Sequence, residues 1–150
     1  MIVKKIKWET IKFQWQHNLW PGRYDVKPMS SMVYNNPDGY SMDIYNNYKP
    51  TFWGVYTDDN QIVGVNSGFR TEDTLYRSRG IWVASNFRKQ GIAQLLFKAL
   101  EEQAREEGCD RIWSYPRKGS HYAYLKFGFE IVSDWYRDTF GQNVYVLKKI

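Results

Sequence analysis

The stretch VASNFRKQGIAQLLFKALEEQAREEG, residues 83–108, decides how this chain is read. It leaves an apolar run, passes two cations and a glycine, and becomes a patterned helix. Ile92, Leu95, Leu96, Ala99, Leu100 and Ala104 recur at three- and four-residue spacing, which predicts a helix from about Gly91 to Glu107 with a buried stripe. Glu101, Glu102, Arg105 and Glu106 take its polar face, and Gly108 is placed to end it. The first N–H groups of a helix have no intrahelical acceptor, and the aligned dipoles add about half a positive charge there. Gly91 leaves that backbone open, Ala93 is nearly as small, and Arg88 and Lys89 add mobile cations. The junction therefore reads as a cradle for a pyrophosphate. It is neither of the two familiar phosphate loops, since the chain has no G-x-x-x-x-G-K-S/T and no G-x-G-x-x-G after a strand.

Working outward, TLYRSRGIWVA (74–84) reads as the strand that feeds this helix, with Leu75, Arg77 and Arg79 alternating against Tyr76, Ser78 and Gly80. Upstream, TFWGVYT (51–57) and QIVGVNSGF (61–69) flank Asp58-Asp59-Asn60 and predict a hairpin. Residues 2–7 alternate apolar and basic, which suits an edge strand. Thr10 is placed to cap a helix running to about Leu19, with Ile11, Trp15 and Leu19 on one face and Pro21-Gly22 ending it. Residues 23–49 form a long excursion rich in Asn, Tyr, Ser and Met, expected to be partly helical. Downstream, DRIWSY (110–115) predicts a strand, 119–127 a short helix, and FEIVSDWY and NVYVLKKI a closing pair of strands. This order gives an α/β layout with a mixed sheet.

The composition sets outer limits. At 150 residues, with aromatic side chains spread along its length, the chain suits one domain, 1–150, with a substantial core. A net charge of +5 is compatible with a nucleic acid, a membrane surface or a polyphosphate cofactor. The single cysteine, Cys109, rules out an intramolecular disulfide, and with only His17 and His121 beside it no metal site is expected. Lysines interrupt the apolar residues of the N-terminus, and no stretch approaches the ~20 apolar residues of a membrane span. A reducing, cytoplasmic setting is the expectation, with Cys109 buried and inert.

With these elements in place, residues 83–93 resemble the cofactor-binding signature of the GNAT acetyltransferases, V-x-P-x-x-R-G-x-G-I/V-G/A. Val83, Arg88, Gly91, Ile92 and Ala93 match it, Ser85 replaces the proline and Lys89 a glycine. A second signature, A/S-x-x-x-Y-x-x-x-G-F, is matched downstream in SHYAYLKFGFE by Ser120, Tyr124, Gly128 and Phe129. Arg117 stands where an asparagine is frequent. The resemblance covers roughly residues 75–135. It implies an α/β (α+β) fold, a mixed and mostly antiparallel sheet whose central strands splay and are flanked by helices.

It also implies a function: transfer of an acetyl group from acetyl-CoA to a small-molecule or peptide amine by direct attack. Main-chain atoms of Ile81, Trp82 and Val83 would hold the pantetheine arm, as an added strand is held. Arg88, Lys89, Gln90, Gly91, Ile92 and Ala93 would bind the pyrophosphate, with Arg117 and Ser120 on the cofactor's other face. Tyr124 takes the general-acid position, with Tyr122 as the fallback. For the base, Glu72, Asp73 or a water chain remain open, and Arg77 and Arg79 either bind an acidic part of the acceptor or pair with other strands. His121 is expected partly exposed, with a minor chance of relaying a proton. Met29, Met32, Tyr34, Tyr40, Met42, Tyr45 and Tyr48 either build an acceptor pocket or simply pack, and Asp38 and Asp43 are spare acids. Neither a nucleic acid nor a membrane is expected as partner, and the chain would be a monomer or homodimer. A CoA-binding sensor or interaction module without turnover is the alternative reading.

Overall fold

Alternation in the central strands shows why the sheet is covered on both faces. In the computed structural model, which describes residues 1–150, strand β3 (Ile62–Glu72) puts Val65 and Phe69 on one face, and strand β4 (Leu75–Val83) adds Leu75, Arg77 and Arg79 to it. Tyr76 and Ser78 point to the opposite face, where α3 (Ile92–Glu106) and α4 (His121–Lys126) lie. Before β3 come β1 (Ile2–Lys5), α1 (Trp8–Gln14), α2 (Asp43–Asn47) and β2 (Thr51–Tyr56). After α3 come β5 (Arg111–Ser114), α4, β6 (Glu130–Ile131), β7 (Tyr136–Asp138), β8 (Gly141–Asn143) and β9 (Val146–Lys149). The main sheet runs β1-β2-β3-β4-β5-β9-β6, and β7-β8 form a separate hairpin absent from the sequence expectations. Every pairing is antiparallel except β4 with β5. This is the mixed, mostly antiparallel sheet expected from the sequence. No helix is long and apolar enough to cross a membrane.

The long helix packs as its pattern requires, with one exchange. Ile92, Leu96, Phe97, Leu100 and Ala104 are buried, whereas Leu95 is exposed. At 3.6 residues per turn the stripe centres between Leu96 and Leu100, which brings Phe97 onto its flank and leaves Leu95 facing away. Phe97 then stacks near Tyr124 and Phe129, joining α3 to α4 and the closing strands.

The first helix differs from its expected start and end. It begins at Trp8 with Lys7 at the cap position and no side-chain cap, so Thr10 lies inside it. Its last turn, Trp15–Leu19, is π-helical and closes with Trp20 N–H donating to Trp15 O (2.7 Å). The wider turn carries Trp15 onto β4, where its indole Nε1–H donates to Gly80 O (2.8 Å). Gly80 sits in a bulge: the β3–β4 register slips between Val65↔Trp82 and Ser67↔Arg79. Its φ of +80° is left-handed, and a Cβ there would lie 2.5 Å from the Trp15 ring. The bulge therefore requires glycine on two counts, and it turns β4 just before Ile81.

Gly80→Ala should lower unfolding stability by roughly 2–4 kcal/mol, combining left-handed strain with overpacking against Trp15. Gly22, also left-handed (φ +79°) but with nothing within 4 Å, should lose only about 1–2 kcal/mol on the same change. Urea denaturation of the two variants checks the difference.

Candidate active site

The site originates in a pairing that stops early. β4 and β5 pair only over Leu75–Arg77 and Arg111–Trp113, and the rest of β4 has no neighbour on that side. Ala84 N–H still donates to Val63 O (2.9 Å) on the β3 side. By strand alternation the main-chain groups of Ile81 and Val83 then face the gap, while those of Trp82 face β3. A cleft of about 530 Å³ fills the gap, lined by Ile81, Trp82, Val83, Arg88, Lys89, Gly91, Ile92, Ala93 and Ser120.

The loop into α3 is shaped for an anion. Lys89 (φ +62°) and Gly91 (φ +81°) are both left-handed, which winds the backbone so that successive amides converge. The amides from Arg88 to Gln94 donate to no backbone carbonyl. Nothing approaches the Cβ direction of Gly91 within 4 Å, so the helix mouth is open. Arg88 is exposed, its Nε–H donating to Val83 O (3.3 Å). Gln90 turns away: its Nε2–H donates to Asn86 O (3.3 Å), and it lines neither this cleft nor the next cavity.

A second cavity of about 610 Å³ adjoins the cleft, sharing Leu19, Ile81 and Ser120 with it. Tyr124 lines this cavity and is 1% exposed. Its hydroxyl stands 2.9 Å from Ser78 Oγ and 3.0 Å from Ser114 Oγ. Both serines are held by further neighbours. Ser114 Oγ–H donates to Ser78 O (2.7 Å), and Asn66 Nδ2–H donates to Ser78 Oγ (2.9 Å). Ser114 Oγ–H can also donate to the Tyr124 oxygen, and Ser78 Oγ–H is shared between Tyr124 and Asn66 Oδ1 (3.4 Å), so the three hydroxyls form one network around the phenol. Burial pushes the Tyr124 hydroxyl above its ordinary pKa, against the pull of both serines and of Arg77. It is therefore a protonated phenol at neutral pH.

Arg117 lines this second cavity rather than the cleft. Glu72 and Asp73 sit at the far end of the β3–β4 turn and line neither space. Asp73 instead accepts from the Tyr48 hydroxyl (2.5 Å). Six strand steps separate Leu75, just past Asp73, from Ile81, a span of about 20 Å, so neither carboxylate reaches the junction. The methionines and tyrosines of 23–49 line neither space as well. Met29 packs with Ile44 and Phe69, and Met32 and Tyr34 pack around Leu75, Trp113 and Tyr145. Tyr122, the fallback acid, is a 67% exposed residue of the cleft rim. Cys109 is buried and its thiol is pushed up to about 11 by burial.

Ser78 and Ser114 escaped the sequence reading because a serine in a strand carries no signal of its own. Asp138, the only carboxylate among the residues that line the second cavity, arrives on the unforeseen β7–β8 hairpin.

A gap in a mixed sheet, an open helix mouth beside it and a buried phenol behind it make up one composite site. The sequence profile of the acetyltransferase (GNAT) family matches residues 13–129, and the chain belongs to that family. A search of curated proteins returned no match. Among solved structures, the chain is similar to an aminoglycoside 6'-N-acetyltransferase complexed with coenzyme A (15% identity, TM-score 0.65, covering 99% of this chain and 97% of that one). It is likewise similar to a GNAT acetyltransferase from Elizabethkingia anophelis with acetyl-CoA bound (17%, TM-score 0.64, 99% and 97%). An acetyltransferase from Bacillus cereus ATCC 14579 aligns over 73% of this chain and 79% of its own (18%, TM-score 0.61). At these identities the likeness shows the fold.

His121 differs from its expected exposure. It is 5% exposed, and its Nδ1 accepts from Gly119 N–H (3.0 Å), holding the turn that presents Ser120 and Tyr124. Burial, then Lys118, lowers its pKa, so the folded state holds the ring neutral. The unfolded chain binds the extra proton first, below about pH 6.5, and stability is lost as pH falls from there through the folded pKa. Denaturant unfolding of the wild type should show that loss below about pH 6.5, and His121→Gln should flatten it.

Proposed function

We propose that this protein transfers an acetyl group from acetyl-CoA to a primary amine, with Tyr124 as the general acid. One observation carries the reading: a buried, protonated tyrosine lines a cavity that adjoins the cleft formed by the open helix mouth and the exposed strand edge. The residues fit the donor. Unpartnered amides from Arg88 to Gln94 and the open face at Gly91 suit its pyrophosphate. The free groups of Ile81 and Val83 suit the amides of its pantetheine arm. Lys89 and Arg88 add charge at the outer phosphates, and Ser120 closes the opposite wall. Trp82 contributes its side of the strand rather than main-chain bonds, and Arg117 belongs to the acceptor side.

Acetyl-CoA supplies the thioester that the amine attacks, the new C–N bond forming as the C–S bond breaks. The Tyr124 hydroxyl delivers its proton to the departing sulfur. A phenol with pKa above ~10 can do so only if held close, because a thiol's pKa is ~8.5 and the transfer runs uphill in isolation. The chain offsets that mismatch with Ser114 and Ser78, whose hydroxyls stand within hydrogen-bond distance of the phenolate oxygen. At rest the Tyr124 hydroxyl is held between Ser78 and Ser114, so its O–H must turn from that network toward the sulfur. The nitrogen's surplus proton passes to water in the open second cavity, with Asp138 on its wall.

Tyr124→Phe should keep acetyl-CoA binding, measured by thermal shift, and lower kcat for CoA-thiol release by about 100-fold, the lower range of general-acid contributions. Gly91→Glu should abolish the acetyl-CoA shift. Binding by the wild type without thiol release across an amine panel would make the chain a CoA-binding module instead. No acetyl-CoA shift at millimolar concentration would remove the donor assignment altogether.

A further inference from the structure

The second cavity holds a charge with no partner. Arg77 is 7% exposed and lines the cavity, yet its Nε and Nη1 have no hydrogen-bond partner. Its guanidinium lies over the Trp113 ring (4.6 Å), on the sheet face away from α3. Burial, then Arg79, lowers its pKa to about 9, so it remains a cation at neutral pH. A cation stripped of water without a counter-charge is costly, and folding alone gives no return for it. The neighbouring Arg79 shows the contrast: it donates to Lys27 O (3.0 Å) and lies over the rings of Trp15 and Trp20. Arg23 and Arg117 also line the cavity, against Asp138 alone. The cavity wall is thus strongly positive.

We infer that the acceptor is an amine that also carries a carboxylate, and that Arg77 binds that carboxylate within the second cavity. The inference rests on the acetyltransferase reading and narrows its substrate class. A guanidinium presents its N–H groups in a planar fork that matches a carboxylate edge, and an ion pair formed there satisfies the donors that the fold leaves free. Arg77 and the Tyr124 hydroxyl face the same cavity and sense each other's charge. An acceptor anchored at Arg77 therefore has its amine near the proton donor. The same wall repels an acceptor bearing several ammonium groups, such as an aminoglycoside, so the charge acts as selection as well as attraction.

The test uses α-amino acids, dipeptides and ω-amino acids, each paired with its carboxamide, with kanamycin as a polycationic comparison. Turnover is followed by CoA-thiol release. The carboxylate member of the accepted pair should be preferred by at least about 10-fold in kcat/KM, in line with a charge-assisted hydrogen bond. Arg77→Gln should erase that preference by raising KM for the carboxylate while KM for the carboxamide stays within about 3-fold, and Arg77→Lys should retain part of the preference. Because the wild-type cation has no internal counter-charge or hydrogen-bond partner at Nε and Nη1, Arg77→Gln should keep or raise the melting temperature, which separates recognition from misfolding. Thermal shift with CoA present supplies a readout without turnover: the carboxylate member should stabilise the wild type more than its carboxamide, and Arg77→Gln should remove the difference. Preference for carboxamides or kanamycin, an equal effect of Arg77→Gln on both members, or no carboxylate-dependent difference in either assay would overturn the inference. Loss of acetyl-CoA binding in the wild type would instead count against the acetyltransferase reading, since that shift does not depend on Arg77.

Discussion

The separation of β4 from β5 after three paired positions is the constraint on which the site depends. A continuous ladder there would satisfy the main-chain groups of Ile81 and Val83 and leave no cleft. Two features hold the strands apart. Trp15, delivered by a π-turn, grips Gly80 and fixes the bulge in β4. On the other side, Ser114 at the end of β5 spends its hydroxyl on Ser78 O rather than extending the ladder. The gap is thus closed at its base by side chains, and those same side chains hold Tyr124. Scaffold and buried phenol share one hydrogen-bonded cluster: Asn66, Ser78, Ser114 and Tyr124.

That sharing explains the two-sided form of the site. The strand alternation of β4 sends Ser78 toward α4 and Arg77 toward the opposite face. Where the sheet is parted, both faces open into one cavity. Polar and charged residues that would be isolated by a closed sheet therefore meet across the gap. The open helix mouth at Gly91 lies on the cleft side and the arginines on the cavity side, so two sets of positive charge flank one junction.

Local signals in the sequence carried much of this. The 92–104 stripe, the hairpin around Asp58-Asp59-Asn60 and the alternation of β4 are short-range patterns, and the structure keeps them. The residues at the helix mouth were legible because an open helix start has a composition of its own. What stayed hidden depends on tertiary pairing. Trp15 looked like one more apolar face residue, and only the fold shows its indole on Gly80. Ser78 and Ser114 gained meaning from facing Tyr124. Asp138 depended on a hairpin without a strong turn signal, and Glu72 and Asp73 looked close in sequence to a strand whose far end carries the site.

Arg77 shows the same limit from the energetic side. In sequence, Arg77 and Arg79 are equivalent, two cations at alternate positions of one strand. The fold separates them: Arg79 reaches a carbonyl and two indoles, while Arg77 keeps only the Trp113 face. A buried guanidinium with free N–H groups detracts from stability, and an apolar side chain of similar volume would pack there at lower cost. Interactions that complete themselves only with a ligand are the usual reason for a protein to carry such a group, because strain of this kind collects at sites that bind. The unsatisfied donors of the Gly91 loop obey the same logic for the donor's phosphates. The two unsatisfied regions lie on either side of the parted strands. One is an open helix mouth with free amides and the other a buried guanidinium fork, and a protonated phenol lines the same cavity as the fork.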